Sequence, residues 1–321
     1  MRQRSATTST SSNRGGRTLV TAYRGSVATE HWAIGDVRIT KIVESEMRLP
    51  LEFLGELLPK SSRAEIDALR WLRPDYVDDG TTTWGFHSFL IETSRSKIVI
   101  DTAVGNSKPR AAEIFNMLDT AYLDNFRKVW EPDDVDVVVC THMHADHVGW
   151  NTRLNGGKWV PTFPNAAYLF VQTEYNYWKS VADLTETVGP VVDGATIFAD
   201  SVQPIVEAGL ANFIAPGAAI TPEISVVPSH GHTPGHVSVL IQSKGQTAVI
   251  TGDLMHNPCQ IGHPDWSSTY DSHPDEAAVT RRAFLERFAD TAAIVIGTHF
   301  GTPTGAHVRR DGSSFRLVPL Q

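Results

Sequence analysis

The sequence predicts an α/β protein built as a four-layer αβ/βα sandwich. Three observations carry that reading. Short strand-length runs of apolar or alternating residues interleave with longer segments of helical spacing. Several strand runs are apolar at nearly every position, as expected of strands covered on both faces. The order of strands then helices also occurs twice, and two β-rich halves with helices outside pack as layers.

The elements follow in chain order. Residues 1–24 are rich in Ser, Thr, Arg and Gly and lack the apolar stretch of a secretory signal, so they read as a flexible tail. Their Arg- and Ser-rich, acid-free composition also has the character of a transit peptide. Residues 25–321 read as one domain, with no second linker and no internal repeat. Val37 to Val43 alternates like a half-buried strand; Phe86 to Glu92 and Lys97 to Asp101 flank a turn at Thr93 to Ser96, a hairpin pattern. Between Pro109 and Val129, Ile114, Leu118, Ala121, Tyr122 and Phe126 fall at helical spacing and predict a helix. Val135 to Cys140 is a short, almost wholly apolar strand. Further strands are expected at Ala167 to Val171, Ile224 to Val227, Val237 to Ile241, Ala248 to Thr251 and Ala293 to Ile296. Helices are expected at Glu174 to Leu184, Thr196 to Glu207 and Asp275 to Phe288.

Composition narrows the function. No apolar run approaches the roughly 18 residues of a membrane-spanning helix. With 36 acidic against 28 basic residues, the surface is not one built to hold nucleic acid. Together these predict a cytoplasmic protein that acts on a small molecule, with neither a nucleic-acid nor a membrane partner. Two cysteines, Cys140 and Cys259, exclude a disulfide scaffold and an all-cysteine zinc site. The unusual count is 13 histidines.

Their placement is informative. Directly after the strand ending at Cys140 comes Thr141-His142-Met143-His144-Ala145-Asp146-His147, four ligand-type residues within six positions. On one helix they would point around most of the circumference; on a loop at a strand end they can converge. Imidazole with carboxylate suits zinc and its first-row neighbours. A second group, Ser229-His230-Gly231-His232-Thr233-Pro234-Gly235-His236, follows another strand. Of its histidines, His232 is read as the ligand, with His236 and His230 in supporting or surface positions. Gly252-Asp253 and Gly297-Thr298-His299 repeat the pattern of buried strand, glycine and ligand-type residue.

In that order these motifs resemble the metallo-β-lactamase superfamily, and the resemblance runs from about Val37 to Leu317. It implies an αβ/βα sandwich with two divalent metal ions at the seam between the halves. His142, His144 and His232 would hold one ion, Asp146, His147 and His299 the other, and Asp253 would bridge them. Zinc is the expected metal; manganese, cobalt and iron suit the same ligands. A hydroxide held between the ions would be the nucleophile, since one zinc alone brings bound water to a pKa of about 7. Asp146 and Asp253 thus count as catalytic as well as ligating. The resemblance also implies that Asp101 supports a ligand loop and that His236 does similar work. His256 lies near where some lactone-cleaving relatives carry a tyrosine, and would donate a hydrogen bond to a substrate oxygen.

Within the superfamily, Asp253 argues against the zinc β-lactamases, no basic residues that would hold glutathione are recognisable, and the excess of 36 acidic over 28 basic residues argues against the RNA-cleaving members. Gly85 to Ile91, Gly252 to His256 and Gly297 to Phe300 resemble the acyl-homoserine lactonase and methyl parathion hydrolase branch. The expected function is hydrolysis of a small, partly apolar lactone or ester, in an enzyme whose relatives are often homodimers. The alternatives are a hydrolase of organophosphate or aryl phosphotriesters and a non-hydrolytic redox or binding member. The pocket should be apolar. Met47, Leu49, Leu51, Phe53 and Leu54 are candidates for its wall, with Trp84, Phe86, Trp178, Trp266, Phe300 and, above all, Trp150.

Overall fold

The computed structural model describes residues 21–23, 29–183 and 192–320. Its strands are β1 (Thr21–Tyr23), β2 (His31–Ile34), β3 (Val37–Pro50), β4 (Val77–Asp78), β5 (Thr81–Glu92), β6 (Lys97–Ile100), β7 (Val137–Val139), β8 (Thr152–Asn155) and β9 (Lys158–Pro161). They continue with β10 (Ala167–Val171), β11 (Ala211–Ile214), β12 (Ile224–Pro228), β13 (Val237–Ser243), β14 (Gln246–Ile250), β15 (Ile294–Ile296), β16 (Gly305–Asp311) and β17 (Ser314–Pro319). One sheet runs β1-β3-β5-β6-β7-β10-β11, with β2 also on β3 and β4 also on β5; the second runs β12-β13-β14-β15-β16-β17. A short β8-β9 hairpin stands apart.

The expected four layers are present, and alternation along the strands produces them. Ile98 and Ile100 of β6, Val139 of β7, Val237, Val239 and Ile241 of β13, and Ala248 and Ile250 of β14 share the cluster between the sheets. Their neighbours point the other way. Val99 and Val138 join Tyr168, Phe170 and Trp178 under the helices of the first half. Leu240, Val249 and Val295 join Phe284, Leu285 and Phe288 under those of the second. Both faces of each central strand are therefore apolar, which is why these runs lack polar alternation.

Strand direction places the loops. β6, β7, β10 and β11 are mutually parallel, as are β14 and β15. β12 runs with β14, because each is antiparallel to β13. The segments after β6, β7, β12, β14 and β15 thus emerge on one rim, the carboxyl edge where open α/β sheets bind ligands. The two halves meet there: the Val237 N–H donates to the Thr141 carbonyl at 3.0 Å, and the Gly85 N–H to that of His299 at 3.0 Å.

Helices form at Gln172–Ala182 and Pro274–Phe288 as expected, although Leu184 lies outside the described residues. The helix expected over Thr196 to Glu207 spans Gly194–Ile197 and Gln203–Glu207 around a π segment, Phe198–Val202. The expected Pro109 to Val129 helix is corrected: only the turn Glu113–Phe115 and the helix Tyr122–Phe126 form. Local side-chain bonds hold this stretch as a loop instead. The Arg110 N–H donates to Asn116 Oδ1 at 3.0 Å, and the Thr120 N–H to Asn106 Oδ1 at 2.9 Å. Of the tail expected over 1–24, residues 1–20 and 24 lie outside the described residues, and Thr21–Tyr23 pair with β3. Among the described residues no helix is long and apolar enough to cross a membrane.

Candidate metal centre

Every ligand-type residue singled out in the sequence reaches the same rim. His142, His144, His232 and Asp253 bring donor atoms within 4.8 Å of one another, as do Asp146, His147 and His299. Asp253 lies between the groups. Its Oδ2 is 3.4 Å from His232 Nε2 and 3.8 Å from His142 Nε2; its Oδ1 is 3.2 Å from His147 Nε2 and 3.1 Å from His299 Nε2. Asp146 Oδ2 is 3.8 Å from His147 Nε2 and 3.6 Å from His299 Nε2.

Partners on the far side of each ring decide which nitrogen faces inward. Asp101, immediately after β6, accepts from His147 Nδ1 at 2.8 Å, from the Thr141 N–H at 2.7 Å and from the Thr141 hydroxyl at 2.8 Å. The Thr141 hydroxyl, having given its proton to Asp101, accepts from His142 Nδ1 at 3.1 Å. Asp271 accepts from His232 Nδ1 at 2.9 Å, and the Gly85 carbonyl from His299 Nδ1 at 2.8 Å. Four rings are thereby fixed with their Nε2 atoms pointing into the site. Asp101 makes these bonds from a left-handed backbone, φ 52°, as a strained functional position often does.

Such a donor set fits metal ions. His142 Nε2 and His232 Nε2 face each other at 3.2 Å with no proton between them, and His144 Nδ1 lies 3.0 and 2.9 Å from them. His147 Nε2 and Asp253 Oδ1, both buried, have no hydrogen-bond partner among the described residues. Opposed lone pairs and orphaned buried acceptors are costly unless a cation satisfies them.

The two groups differ in charge. Burial drives His142 and His232 well below the ordinary imidazole range and His144 down to about 4, so all three are neutral and ready to ligate. For His147 and His299 burial acts in the same direction, but Asp253 and Asp146 outweigh it and raise both. Burial would raise Asp253, yet His147 and His299 hold it well below the carboxylate range. Asp271 is likewise held low, its bond to His232 and the charge of Arg281 outweighing burial.

Supporting residues fall into two kinds. His236, expected to help, accepts the Asp253 N–H on Nε2 at 2.9 Å, while its Nδ1 lies against Ser229. Glu174, Asp271 and Arg281 were not anticipated, since each is far in sequence from what it touches. Glu174, at the start of the Gln172–Ala182 helix, accepts the Met143 N–H at 3.1 Å and the Gly235 N–H at 2.9 Å, joining the two histidine loops. No local motif marks such residues.

The cleft over the metal centre is bounded by Trp84, Ala112, Ile114, Phe115, Ile197 and Tyr270, with Arg110 and His256. Trp84 is the one aromatic of the expected wall that lines it. Phe86 packs behind it, 5.5 Å from the His299 ring and 5.0 Å from Phe115. Trp150 is corrected to core: it stacks on Tyr122 at 5.4 Å and donates Nε1–H to Glu44 at 2.7 Å. Trp266 stacks on His263, Phe300 packs edge-on against Tyr76, and Trp178 braces the His144 ring while bonding Glu174. Met47, Leu49, Leu51 and Leu54 belong to the core beside the second sheet, with Phe53 packed against it. Large apolar side chains gain most by full burial, which explains these placements. His256 does face the cleft. Its Nε2 is 3.4 Å from Asp253 Oδ2, and neither ring nitrogen has a hydrogen-bond partner among the described residues.

Comparison with known proteins agrees with this geometry. The chain matches the sequence profile of the metallo-beta-lactamase superfamily over residues 83–299. N-acyl homoserine lactonases of Bacillus sp and of Bacillus thuringiensis subsp. kurstaki, the latter named AiiA, are each 23% identical over 176 residues, 50% of this chain. That match spans 60% of the length of those curated relatives. Among solved structures, AidC, a dizinc quorum-quenching lactonase in complex with a product, has a TM-score of 0.73 at 21% identity, covering 91% of this chain and 97% of its own. The hydrolase AbOPH of the beta-lactamase superfamily has a TM-score of 0.75 at 24% identity, covering 93% and 99%. At such identities these structures establish the shared fold.

Proposed function

Since this chain belongs to the metallo-β-lactamase superfamily, we propose that it is a two-metal hydrolase that opens a small, partly apolar lactone or cleaves a comparable ester. The observation that carries the reading is Asp253, one carboxylate with an oxygen toward each of two histidine groups. Two divalent ions, zinc first among them, would supply a hydroxide nucleophile near neutral pH and polarise the carbonyl under attack. His142, His144 and His232 would hold one, Asp146, His147 and His299 the other, and Asp253 both.

The protein's own groups do the rest. Asp101, Thr141, Asp271 and the Gly85 carbonyl keep four rings in the ligating tautomer. His256, with both nitrogens unengaged at the cleft, is positioned to donate to the oxygen that gains charge as the ester bond breaks. Trp84, Ile114, Phe115 and Ile197 exclude water around an acyl chain. Support for a lactone comes from the curated relatives and from AidC, whose names say lactonase.

The test is a substrate panel on zinc-loaded protein: acyl-homoserine lactones of several chain lengths, simple γ-lactones, aryl esters and an aryl phosphotriester. Lactone turnover well above that of the phosphotriester is expected. A preference for the phosphotriester, or no hydrolysis of any of them, would reject the reading. His256→Ala should lower kcat by about 10²-fold or more with little change in KM, the range seen when one such donor is removed; unchanged kcat would remove His256 from the chemistry.

A further inference from the structure

Arg281, in the Pro274–Phe288 helix, is wholly buried. Burying a guanidinium costs several kcal/mol unless its bonds are good. Its partners are unusual. Nε donates to the Leu254 carbonyl at 2.7 Å, one peptide beyond Asp253, and Nη1 to the carbonyls of Pro264 at 2.8 Å and Trp266 at 3.0 Å. Nη2 forms an ion pair with Asp271 Oδ2 at 3.5 Å, without a hydrogen bond, and Asp271 Oδ1 holds His232 Nδ1 at 2.9 Å. The same helix seats the His232 loop directly: Gly231, φ 124°, has no room for a side chain, since a Cβ there would meet the Ala277 backbone nitrogen at 2.3 Å. The Asp271 segment is tied to that loop twice more, by the Ser272 N–H to the His232 carbonyl at 2.8 Å and the His273 N–H to the Gly231 carbonyl at 2.9 Å.

We propose that Arg281 is a positioning residue for the metal centre: from outside it, one guanidinium fixes both the Asp253 loop, through the Leu254 carbonyl, and His232, through Asp271. The planar fork serves three loop segments at once, which the single-point ammonium of lysine cannot reproduce. Through Asp271, Arg281 acts on His232, which belongs to one group alone, while the Asp253 loop that it also holds serves both. The other group is held by Asp101 and the Gly85 carbonyl, on the first sheet. Loss of Arg281 should therefore be felt unequally by the two ions. This inference rests on the two-metal reading above.

The experiment separates the two ideas. In metal-free protein, imidazole ¹⁵N–¹H spectra should contain a slowly exchanging, downfield His232 Nδ1–H. Arg281→Lys should broaden or shift it, and the isosteric Asp271→Asn should do so more strongly. Competitive Zn²⁺ titration should then give about 10–100-fold weaker binding of the ion that His232 would hold, the range for loss of a partner behind a ligand, with a clearly smaller loss for the other. The combined variant should fall short of the sum of the two single effects, since both act on His232. A folded Arg281→Lys protein with an unchanged His232 signal and unchanged Zn²⁺ affinities would reduce Arg281 to a core strut. Where that variant fails to fold, Asp271→Asn decides: an unshifted His232 signal overturns the proposal. If wild-type protein takes up fewer than two Zn²⁺ ions, the two-metal reading fails, while the His232 signal still reports on the relay.

Discussion

At the residue scale the two metal groups should respond differently to pH. His142 and His232 lie well below the imidazole range and His144 at about 4, so the first group has shed its protons well before neutral pH. His147 and His299 are raised by Asp253 and Asp146, so in metal-free protein they keep their protons to higher pH than the first group does, and an incoming ion must release them. Affinity of one ion should thus be flat between pH 5 and 7, while that of the other climbs with pH and is matched by proton release. Isothermal titration with Zn²⁺ in buffers of different ionisation enthalpy measures both. Equal pH slopes for the two ions would contradict this assignment of charge.

The seven ligand-type residues were legible because each follows an apolar strand within a few positions, and strand direction delivers all of them to one rim. Asp271 and Arg281 were not, because they act on His232 and Leu254 from 39 and 27 residues away. The pocket aromatics other than Trp84 lie away from the cleft for a different reason. Proximity in sequence to a ligand says nothing about which side of the backbone a ring takes: Trp150 follows Gly149 by one residue yet points into the core against Tyr122.

At the element scale, the helices act as clamps on the ligand loops. The Gln172–Ala182 helix presents Glu174 to both histidine loops, and Gly235 lets it approach: a Cβ there would meet the Glu174 nitrogen at 2.3 Å and its Cα at 2.6 Å. Backbone cannot yield as a side-chain tip can, so Gly235→Ala should destabilise the fold by about 1–3 kcal/mol, the usual range for overpacking. It should also loosen both loops, lowering Zn²⁺ uptake in protein that remains folded. A denaturant midpoint and metal content equal to wild type would show that helix and loop separate freely. Strands were easier to foresee than the 109–129 loop, where the Asn106 and Asn116 side chains captured backbone N–H groups despite helical apolar spacing.

For the whole molecule, the centre is a joint between two sheets. His142, His144, Asp146 and His147 come from the first half, and His232, Asp253 and His299 from the second. Ions bound across that seam stabilise the assembled fold and not its halves, by about 2.7 kcal/mol for a ligand at 100 times its Kd. Zinc should raise Tm as one cooperative transition, and a chelator should reverse it. Two transitions, one of them insensitive to the chelator, would place the ions within a single half.

The central claim is that one carboxylate, Asp253, serves two ions in a hydrolytic site. Stepwise Zn²⁺ reconstitution of metal-free protein, followed by metal content and lactone hydrolysis on the same samples, tests it most directly. Activity should reach its plateau at two ions per chain, and an Asp253→Ala variant should retain neither full occupancy nor turnover. Full activity at one ion or none, or an Asp253→Ala protein that keeps both ions and hydrolyses normally, would contradict it.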